Sequence, residues 1–290
     1  MTLANEMDSD THDVVLVNGR PQEVLPVCDR GLLYGDGVFE TLAVKSGKPL
    51  ELAWHLERLT HGCRRLAIPL PPEEPLQHEI DQLCAGQTRA ILKIIITRGT
   101  GTRGYLAPRT PEITRIVCLS PWSEVPARFY REGVSVRCCQ QRLCDNPALA
   151  GIKHLNRLEQ VLARNEWDYP EVAEGLMCDY AGNVVEATAS NIFVVNAGIL
   201  QTPDLSRAGV EGVMRRRILQ LASDQGIESQ ILPIPLRKLE DADEVFLCNS
   251  LIGIWPVRKL DNMRFPVGPM TRQLLDAIRP YCAIDVQVPT

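Results

Sequence analysis

One lysine of this chain stands where it could act as a nucleophile. Lys153 lies in the segment AGIKHLNRLEQ, after a strand-like approach and just before a helix predicted to begin near Asn156. A lysine at such a junction is usually exposed to solvent and takes no part in catalysis. If its neighbours Gly151 and Ile152 bury it, however, the amine loses part of its preference for charge and can form an imine.

A glutamate and a glycine-rich helix start are the next two candidates. Glu186 lies in GNVVEATASNIFVV, which predicts a strand, a turn and a second strand. It is either an exposed carboxylate or a buried one that holds a proton on a ring nitrogen. The segment GVEGVM at 209–214 opens a predicted helix, where backbone N–H groups and the helix dipole favour an anion, although Gly212 could act only as an N-cap. We interpret Arg215–Arg217, which follow, as a solvated helix face.

A glycine-rich loop, RGTGTRGY at 98–105, is the fourth candidate. It lacks the GK[ST] ending of a phosphate loop. It is either a flexible hairpin loop or a place where the guanidinium groups of Arg98 and Arg103 bind a carboxylate.

One cofactor needs several of these features at once: pyridoxal 5′-phosphate uses a lysine for its aldehyde, an anion site for its phosphate and an acidic partner for its ring nitrogen.

The composition excludes several classes of function. The chain has 290 residues, and its 31 Lys and Arg against 36 Asp and Glu give a net charge of −5, whereas a general nucleic-acid binder needs a basic face. No run of about 18 apolar residues is present that could cross a membrane. The first residues lack the basic start and apolar core of a signal peptide. We therefore expect a cytoplasmic protein that binds neither nucleic acid nor a membrane.

The ten cysteines point to no metal site. None forms a CxxC pair, and no group of Cys and His has the spacing of zinc ligands. Most have apolar neighbours, as in IVCLS and FLCNS, where cysteine serves as a small core residue. We expect reduced structural thiols.

The order of strand and helix patterns predicts an α+β fold in two domains that both contain a sheet. Residues 1–12 are expected to be a flexible tail, 13–120 an N-terminal α/β domain, 121–129 a linker with two prolines, and 130–290 a C-terminal α+β domain. Predicted strands in the first domain include VVLVNG, EVLPV, GVFETLAV and AILKIIIT, and a helix is predicted over Leu52–Ile68 from its apolar period.

Seven segments together resemble the fold-type IV pyridoxal-phosphate enzymes. They occur in the family's order: DRGLLYGDGVFET, HLERL, TRGTGTRGY, GIKHLNRLEQVLAR, VVEATASNIFVV, GVEGVMR and EVFLCNSLIGIWPV. The family comprises the branched-chain and D-amino-acid aminotransferases together with 4-amino-4-deoxychorismate lyase. The resemblance covers nearly the whole chain and implies the two-domain fold of the D-amino-acid aminotransferases.

The resemblance also implies a role for individual residues. Lys153 would bind the cofactor's aldehyde covalently and move the substrate proton, and Glu186 would pair with the pyridine nitrogen. Arg58 would hold the phosphate, together with the backbone N–H groups of Val213 and Met214. Asn249 and Ser250 would lie beside the same phosphate. Arg103 would bind a substrate carboxylate from the partner subunit, which implies a homodimer.

Two segments favour the lyase branch of the family. GIKHLNRLEQVLAR is very similar to the lysine segment of the lyases, and Cys248–Leu251 replaces the Thr-x-Thr pattern that transaminases of this fold usually carry. We therefore expect conversion of 4-amino-4-deoxychorismate to 4-aminobenzoate and pyruvate, a step toward folate. A D-amino-acid or branched-chain aminotransferase is the alternative, because GDGVFET is shared with the D-amino-acid enzymes.

Overall fold

The computed structural model describes residues 13–22 and 24–284. The strands are β1 (Val14–Val17), β2 (Arg20–Pro21), β3 (Gly37–Lys45), β4 (Lys48–Pro49), β5 (Arg89–Thr97), β6 (Thr114–Pro121), β7 (Val134–Leu143), β8 (Val172–Asp179), β9 (Asn183–Ala187), β10 (Asn191–Asn196), β11 (Ile199–Pro203), β12 (Ser229–Leu232), β13 (Ile234–Pro235), β14 (Glu244–Asn249), β15 (Gly253–Leu260) and β16 (Met263–Arg264). The α-helices are α1 (Arg30–Tyr34), α2 (Leu52–Arg65), α3 (Glu73–Cys84), α4 (Arg128–Arg131), α5 (Leu158–Arg164), α6 (Val213–Asp224) and α7 (Pro269–Ala277).

The first half of the chain forms a six-stranded antiparallel sheet in the order β2-β1-β6-β5-β3-β4. Helix α2 packs against β3 and α3 against β6. Buried side chains such as Leu42, Leu59, Ile80 and Ile94 form the core between these layers. The apolar period predicted for α2 is confirmed, since Leu59 and Cys63 of that face are buried.

The second half forms a ten-stranded mixed sheet in the order β12-β11-β10-β14-β15-β7-β8-β9-β13, with β16 paired to β15. Strand β7 runs parallel to both β8 and β15. Helices α6 and α7 contact β14 and each other, and bury Phe193, Phe246, Ile218 and Leu274 in a separate core. Two sheets with their own helices confirm the predicted α+β fold class.

A short segment joins the two sheets and carries Lys153. Val38 of β3 pairs with His154, the amide of Phe39 donates to the carbonyl of Lys153 at 2.9 Å, and Gly151 pairs with Val210. The segment is therefore held on one side by the first sheet and on the other by the loop before α6. These contacts fix the lysine backbone at the boundary between the sheets.

The first 35 residues differ from the sequence prediction. Val24–Pro26 of the predicted strand EVLPV has no regular structure, because Pro26 has no N–H for a sheet; Glu23 lies outside the described residues. The short helix α1 was not predicted. It begins where Asp29 accepts a hydrogen bond from the Gly31 amide at 2.8 Å, and it ends at Gly35, which has a left-handed φ of 63°.

Helix α2 ends one turn before the predicted Ile68. Ala67 adopts a left-handed φ of 51°, and the Ile68 amide bonds back to the Cys63 carbonyl at 2.8 Å. This closes the helix as a left-handed C-terminal cap does. The predicted tail at 1–12 lies outside the described residues, and the domain limits at 120, 121–129 and 130 stay a prediction.

Two absences hold within the described residues. No helix there is long and apolar enough to cross a membrane, and no group of His, Cys, Asp and Glu there could hold a metal ion. All ten cysteines are free thiols.

Candidate active site

A cavity of about 730 Å³ lies where the two sheets meet. The structure brings seven of the eight predicted site residues to its wall, namely Arg58, Lys153, Glu186, Val213, Met214, Asn249 and Ser250. Arg103 is exposed and is not among the lining residues. The cavity therefore collects side chains from α2, β9, β14, the lysine segment and the start of α6.

The amine of Lys153 faces the cavity from the lysine segment. Its Nζ lies 4.4 Å from the centroid of the Phe39 ring. Burial and the nearby charge of Arg58 together lower the pKa of Lys153 to about 8, against the opposing effect of the Glu40 carboxylate. At pH 7 roughly a tenth of the amine is then uncharged, far more than for an ordinary lysine with a pKa near 10.4. The site presents an amine that can act as a nucleophile or a base.

Glu186 lines the same cavity from β9. The residue is only 5% exposed. Of the two interpretations from the sequence, the exposed carboxylate is therefore wrong, and Glu186 is buried. Oε2 accepts a hydrogen bond from the Val210 amide at 2.8 Å, and Oε1 accepts one from Gln160 Nε2 at 3.4 Å. Burial raises the pKa of Glu186, while the positive charge of Arg157 opposes that rise. A cationic N–H placed beside this carboxylate would compensate its buried charge.

Arg58 is fixed by a carboxylate that the sequence analysis did not single out. Its Nε donates to Glu40 Oε1 at 2.7 Å, its Nη2 to Glu40 Oε2 at 2.5 Å, and its Nη1 to the Glu211 carbonyl at 2.9 Å. Glu40 is completely buried on β3. Although burial alone would raise the pKa of Glu40, the Arg58 charge and the His55 hydrogen bond hold it at about 2. Arg58 is thus a rigid cation at the cavity wall.

His55 connects the same carboxylate to Ser250. Its Nδ1 lies 2.6 Å from Glu40 Oε2, and its Nε2 lies 3.1 Å from Ser250 Oγ. Burial lowers the pKa of His55 despite the Glu40 carboxylate, so the ring is neutral at pH 7. Because the carboxylate can only accept, Nδ1 carries the ring proton and Nε2 accepts from the Ser250 hydroxyl. This chain of bonds orients Ser250.

The start of α6 forms another part of the cavity wall. Gly212 precedes the helix, and a Cβ at that position would lie 2.0 Å from Asn191 Oδ1. Only glycine therefore allows Asn191 to reach the Val210 carbonyl, to which its Nδ2 donates at 2.8 Å. The unpaired N–H groups of the first helical turn and the Arg58 charge can together bind a phosphate-sized anion.

Asn249 lines the cavity and also supports the adjoining turn. Its Nδ2 donates to the Ala189 carbonyl at 3.1 Å, and its Oδ1 accepts from the amides of Leu251 and Ile252, both at 2.9 Å. Both ends of the amide are therefore used within the protein. Asn249 holds Ser250 in place next to the start of α6.

The interpretation of Arg215–Arg217 as a solvated face is wrong for two of the three residues. Arg215 is 7% exposed and donates to Thr202 Oγ1 at 3.1 Å and to the Pro203 carbonyl at 3.0 Å. Arg217 lies between the rings of Trp54 and Tyr281. Strand β11 supplies the acceptors for Arg215, and Arg217 also donates to Glu51 at 2.7 Å, so neighbouring elements cover these two side chains.

The two arginines of the glycine-rich loop have different surroundings. Arg98 donates to Asp36 and to the Leu66 and Ala67 carbonyls, so its guanidinium is used within the protein. Arg103 is exposed, but the loop around it is held: Arg30 donates to the carbonyls of Gly104 at 3.1 Å and Tyr105 at 2.8 Å. Arg103 is therefore exposed on a loop that Arg30 holds, and it is not part of the cavity lining of its own chain.

Glu40 offers a test of the anion site. In Glu40→Gln the amide cannot balance the Arg58 charge or orient its fork, so we expect the affinity of the cofactor-free protein for inorganic phosphate and for pyridoxal phosphate to fall by about tenfold or more. Equilibrium dialysis measures both. Glu79→Gln is the matched control, because Glu79 is buried and pairs with Arg115 at 2.7 Å in the first sheet's layer. Equal losses in both variants would contradict the assignment.

Comparison with known proteins identifies relatives along most of the chain. The family model "Amino-transferase class IV" matches residues 37–260. Aminodeoxychorismate lyase of Vibrio harveyi is 38% identical over 265 residues, which are 89% of this chain and 97% of that protein. D-alanine aminotransferase of Listeria innocua is 28% identical over 276 residues, 90% of this chain and 93% of that protein. The crystal structure of 4-amino-4-deoxychorismate lyase from Pseudomonas aeruginosa has 49% identity and a TM-score of 0.89, covering 92% of this chain and 98% of that one.

Proposed function

The chain belongs to the class IV aminotransferase family, and we propose that it is a pyridoxal-phosphate lyase that converts 4-amino-4-deoxychorismate to 4-aminobenzoate and pyruvate. The observation that carries the proposal is one cavity that holds an amine of lowered pKa, a buried carboxylate and an anion site. The choice of the lyase is supported by relatives of that name at 38% and 49% identity over most of the chain.

The donor set of the cavity fits pyridoxal phosphate. Arg58 and the N–H groups of Val213 and Met214 would hold the phosphate beside Ser250, Lys153 would bind the aldehyde carbon, and Glu186 would face the ring nitrogen. When bound, the cofactor supplies an electron sink for the pair of electrons left behind when a proton leaves the substrate carbon. The buried Glu186 forms no ion pair within 13–22 and 24–284, and a protonated ring nitrogen of the cofactor would supply its missing counter-charge.

Lys153 would move the proton. Its free amine would be a base of pKa about 8, close enough to neutral pH to take the proton from C4 of the substrate. The C3–O bond to the enolpyruvyl group then breaks, and that group leaves and takes up a proton to become pyruvate. The ring gains aromaticity, which drives the step forward.

Glu186 would keep the ring nitrogen protonated. The carboxylate is held by the Val210 amide and is enclosed by protein. A buried carboxylate without a direct ion pair is costly, so it would favour a proton on a ring nitrogen placed beside it. Glu40 and His55 would be positioning residues, because they orient Arg58 and Ser250 without lining the cavity themselves.

We include a homodimer in the proposal. An exposed apolar patch lies near Arg103, and it consists of Leu32, Leu33, Tyr105 and Leu106. Leu106 is 90% exposed. Such a patch marks a protein contact more often than a free surface. A second copy that covers it would carry the exposed Arg103 toward a neighbouring cavity. The ten free thiols fit a reducing, cytoplasmic location.

Replacing Arg103 should then weaken binding of the substrate without changing binding of the cofactor. In Arg103→Ala we expect KM to rise about tenfold or more, because a charge-assisted bond to a carboxylate is lost, while cofactor occupancy stays constant. Steady-state kinetics and the absorbance of the bound cofactor give the two values. Arg109→Ala, an exposed arginine of the same connection, is the control. Loss of cofactor in Arg103→Ala would overturn the assignment.

The direct test supplies the purified enzyme with 4-amino-4-deoxychorismate and assays both 4-aminobenzoate and pyruvate. Equal amounts of the two products are expected. An aminotransferase of the same family would instead convert the cofactor to its amine form when mixed with D-alanine or leucine. Rapid conversion of that kind without formation of 4-aminobenzoate would replace the lyase proposal.

A further inference from the structure

One arginine in the cavity wall has a guanidinium group that the protein leaves largely unused. Arg157 lines the cavity between the lysine segment and α5. Its Nε donates to the His154 carbonyl at 2.9 Å. Within residues 13–22 and 24–284 its two Nη groups have no hydrogen-bond partner and it forms no ion pair. The two Nη groups of Arg157 are therefore free to donate hydrogen bonds to a ligand.

The other two arginines of the cavity are already engaged. Arg58 is bound by both oxygens of Glu40 and by the Glu211 carbonyl. Arg164 donates to the Trp167 carbonyl at 2.7 Å and stacks on the Trp167 ring at 4.4 Å. Among the cavity arginines of the described chain, Arg157 is the one that can meet a new anion without giving up a partner.

The guanidinium of Arg157 is partly buried and lies open to the cavity. Burial lowers the pKa of Arg157, and the charge of Glu186 opposes that effect only through space. Neither Nη atom is among the enclosed, unpartnered side-chain atoms of the described residues, so an entering ligand can reach both. Glu186 has its own partners in the Val210 amide and Gln160. The charge of Arg157 is therefore available to what enters the cavity.

The proposed substrate supplies a fitting anion. It carries two carboxylates, one on the ring and one on the enolpyruvyl group, whereas D-alanine and leucine carry one. Arg103 is already proposed to bind one of the two. We propose that Arg157 binds the other substrate carboxylate through its two Nη groups and so determines specificity for a dicarboxylate. This inference rests on the proposed function. A planar guanidinium matches a carboxylate in two parallel bonds.

The test compares binding with turnover in Arg157→Met. We expect KM for 4-amino-4-deoxychorismate to rise about 10- to 100-fold, the range for losing a charged hydrogen bond. Equilibrium binding of the two products by calorimetry identifies the carboxylate: weaker binding of 4-aminobenzoate indicates the ring carboxylate, and weaker binding of pyruvate indicates the enolpyruvyl one. Aniline, which lacks the carboxylate, should bind both proteins alike.

Two variants separate this contact from general effects. Arg164→Met removes a cavity arginine whose guanidinium is already bonded, and should change KM by less than about threefold. Arg157→Lys keeps the charge without the fork and should recover part of the lost affinity. Because Arg157 also lowers the pKa of Glu186, kcat can fall as well, so KM and product binding are the deciding values. Thermal unfolding of each variant monitors the fold.

The outcomes are distinct. Unchanged KM and unchanged binding of both products in Arg157→Met would overturn the inference. A changed absorbance of the bound cofactor with unchanged KM would also overturn it, by assigning Arg157 to the cofactor. If the wild-type enzyme forms no 4-aminobenzoate, the proposed function fails on its own, whatever the Arg157 variants do.

Discussion

Replacing Lys153 with alanine is expected to lower kcat by at least about a thousandfold, since the base that takes the substrate proton and the amine that binds the cofactor are removed together. The fold should persist. Because the pKa of Lys153 is about 8 in the folded protein and near 10.4 in an unfolded chain, the charged amine opposes folding below pH 8, and this penalty disappears as the pH rises to about 10.4. The alanine variant should therefore be no less stable than the wild type at pH 7.

Lys93 provides the matched control for this change. Its Nζ lies 5.4 Å from the centroid of the same Phe39 ring, but the side chain is exposed on β5 and does not line the cavity. Lys93→Ala should keep kcat within about threefold of the wild type, as exposed substitutions usually have small effects. Steady-state assays of product formation and thermal unfolding supply the comparison. Full activity in Lys153→Ala would end the proposed mechanism.

Glu186→Gln is expected to keep the cofactor and to lower kcat by about a hundredfold. The amide has nearly the shape of the carboxylate and can still accept from the Val210 amide, but it carries no charge to stabilise a protonated ring nitrogen. Cofactor occupancy is measured from absorbance after gel filtration, and proton removal from the rate with substrate deuterated at C4.

Glu174→Gln is the control for loss of a buried carboxylate from the same cavity. Glu174 accepts from the Gly175 and Ala189 amides and from the Thr188 and Ser190 hydroxyls, so it supports the wall without facing the ring nitrogen in the proposed arrangement. We expect its kcat to fall by less than about tenfold. A Glu186→Gln enzyme with unchanged kcat would indicate that aromatisation alone drives the reaction.

Local patterns in the sequence predicted the parts of the site that depend on short segments. Lys153 precedes a helix after a strand-like approach, and Gly212 opens α6; both features can be read within about ten residues of chain. The structure has α6 beginning at Val213, as the glycine-rich start predicts. Burial of Glu186 was one of two open interpretations, because its partner Val210 is 24 residues away.

The residues that orient the site could not be found in the same way. Glu40 reads as an ordinary residue of strand GVFETLAV, and its function depends on contacts with α2 that only the packing of sheet and helix produces. One signal was available: His55 and Arg58 are three residues apart on a helix and so share a face. For Arg215 the prediction itself was wrong. A run of arginines predicts a solvent-exposed helix face, and the sequence does not show that the folded protein supplies buried hydrogen-bond acceptors for this side chain.

The central claim is that Lys153 carries the cofactor in this cavity. The most direct measurement is mass spectrometry of the holoenzyme after borohydride reduction and proteolysis. We predict one pyridoxyl adduct, on the peptide that contains Lys153, and its absence in Lys153→Arg. An adduct on another lysine, or none in protein that converts substrate, would contradict the account.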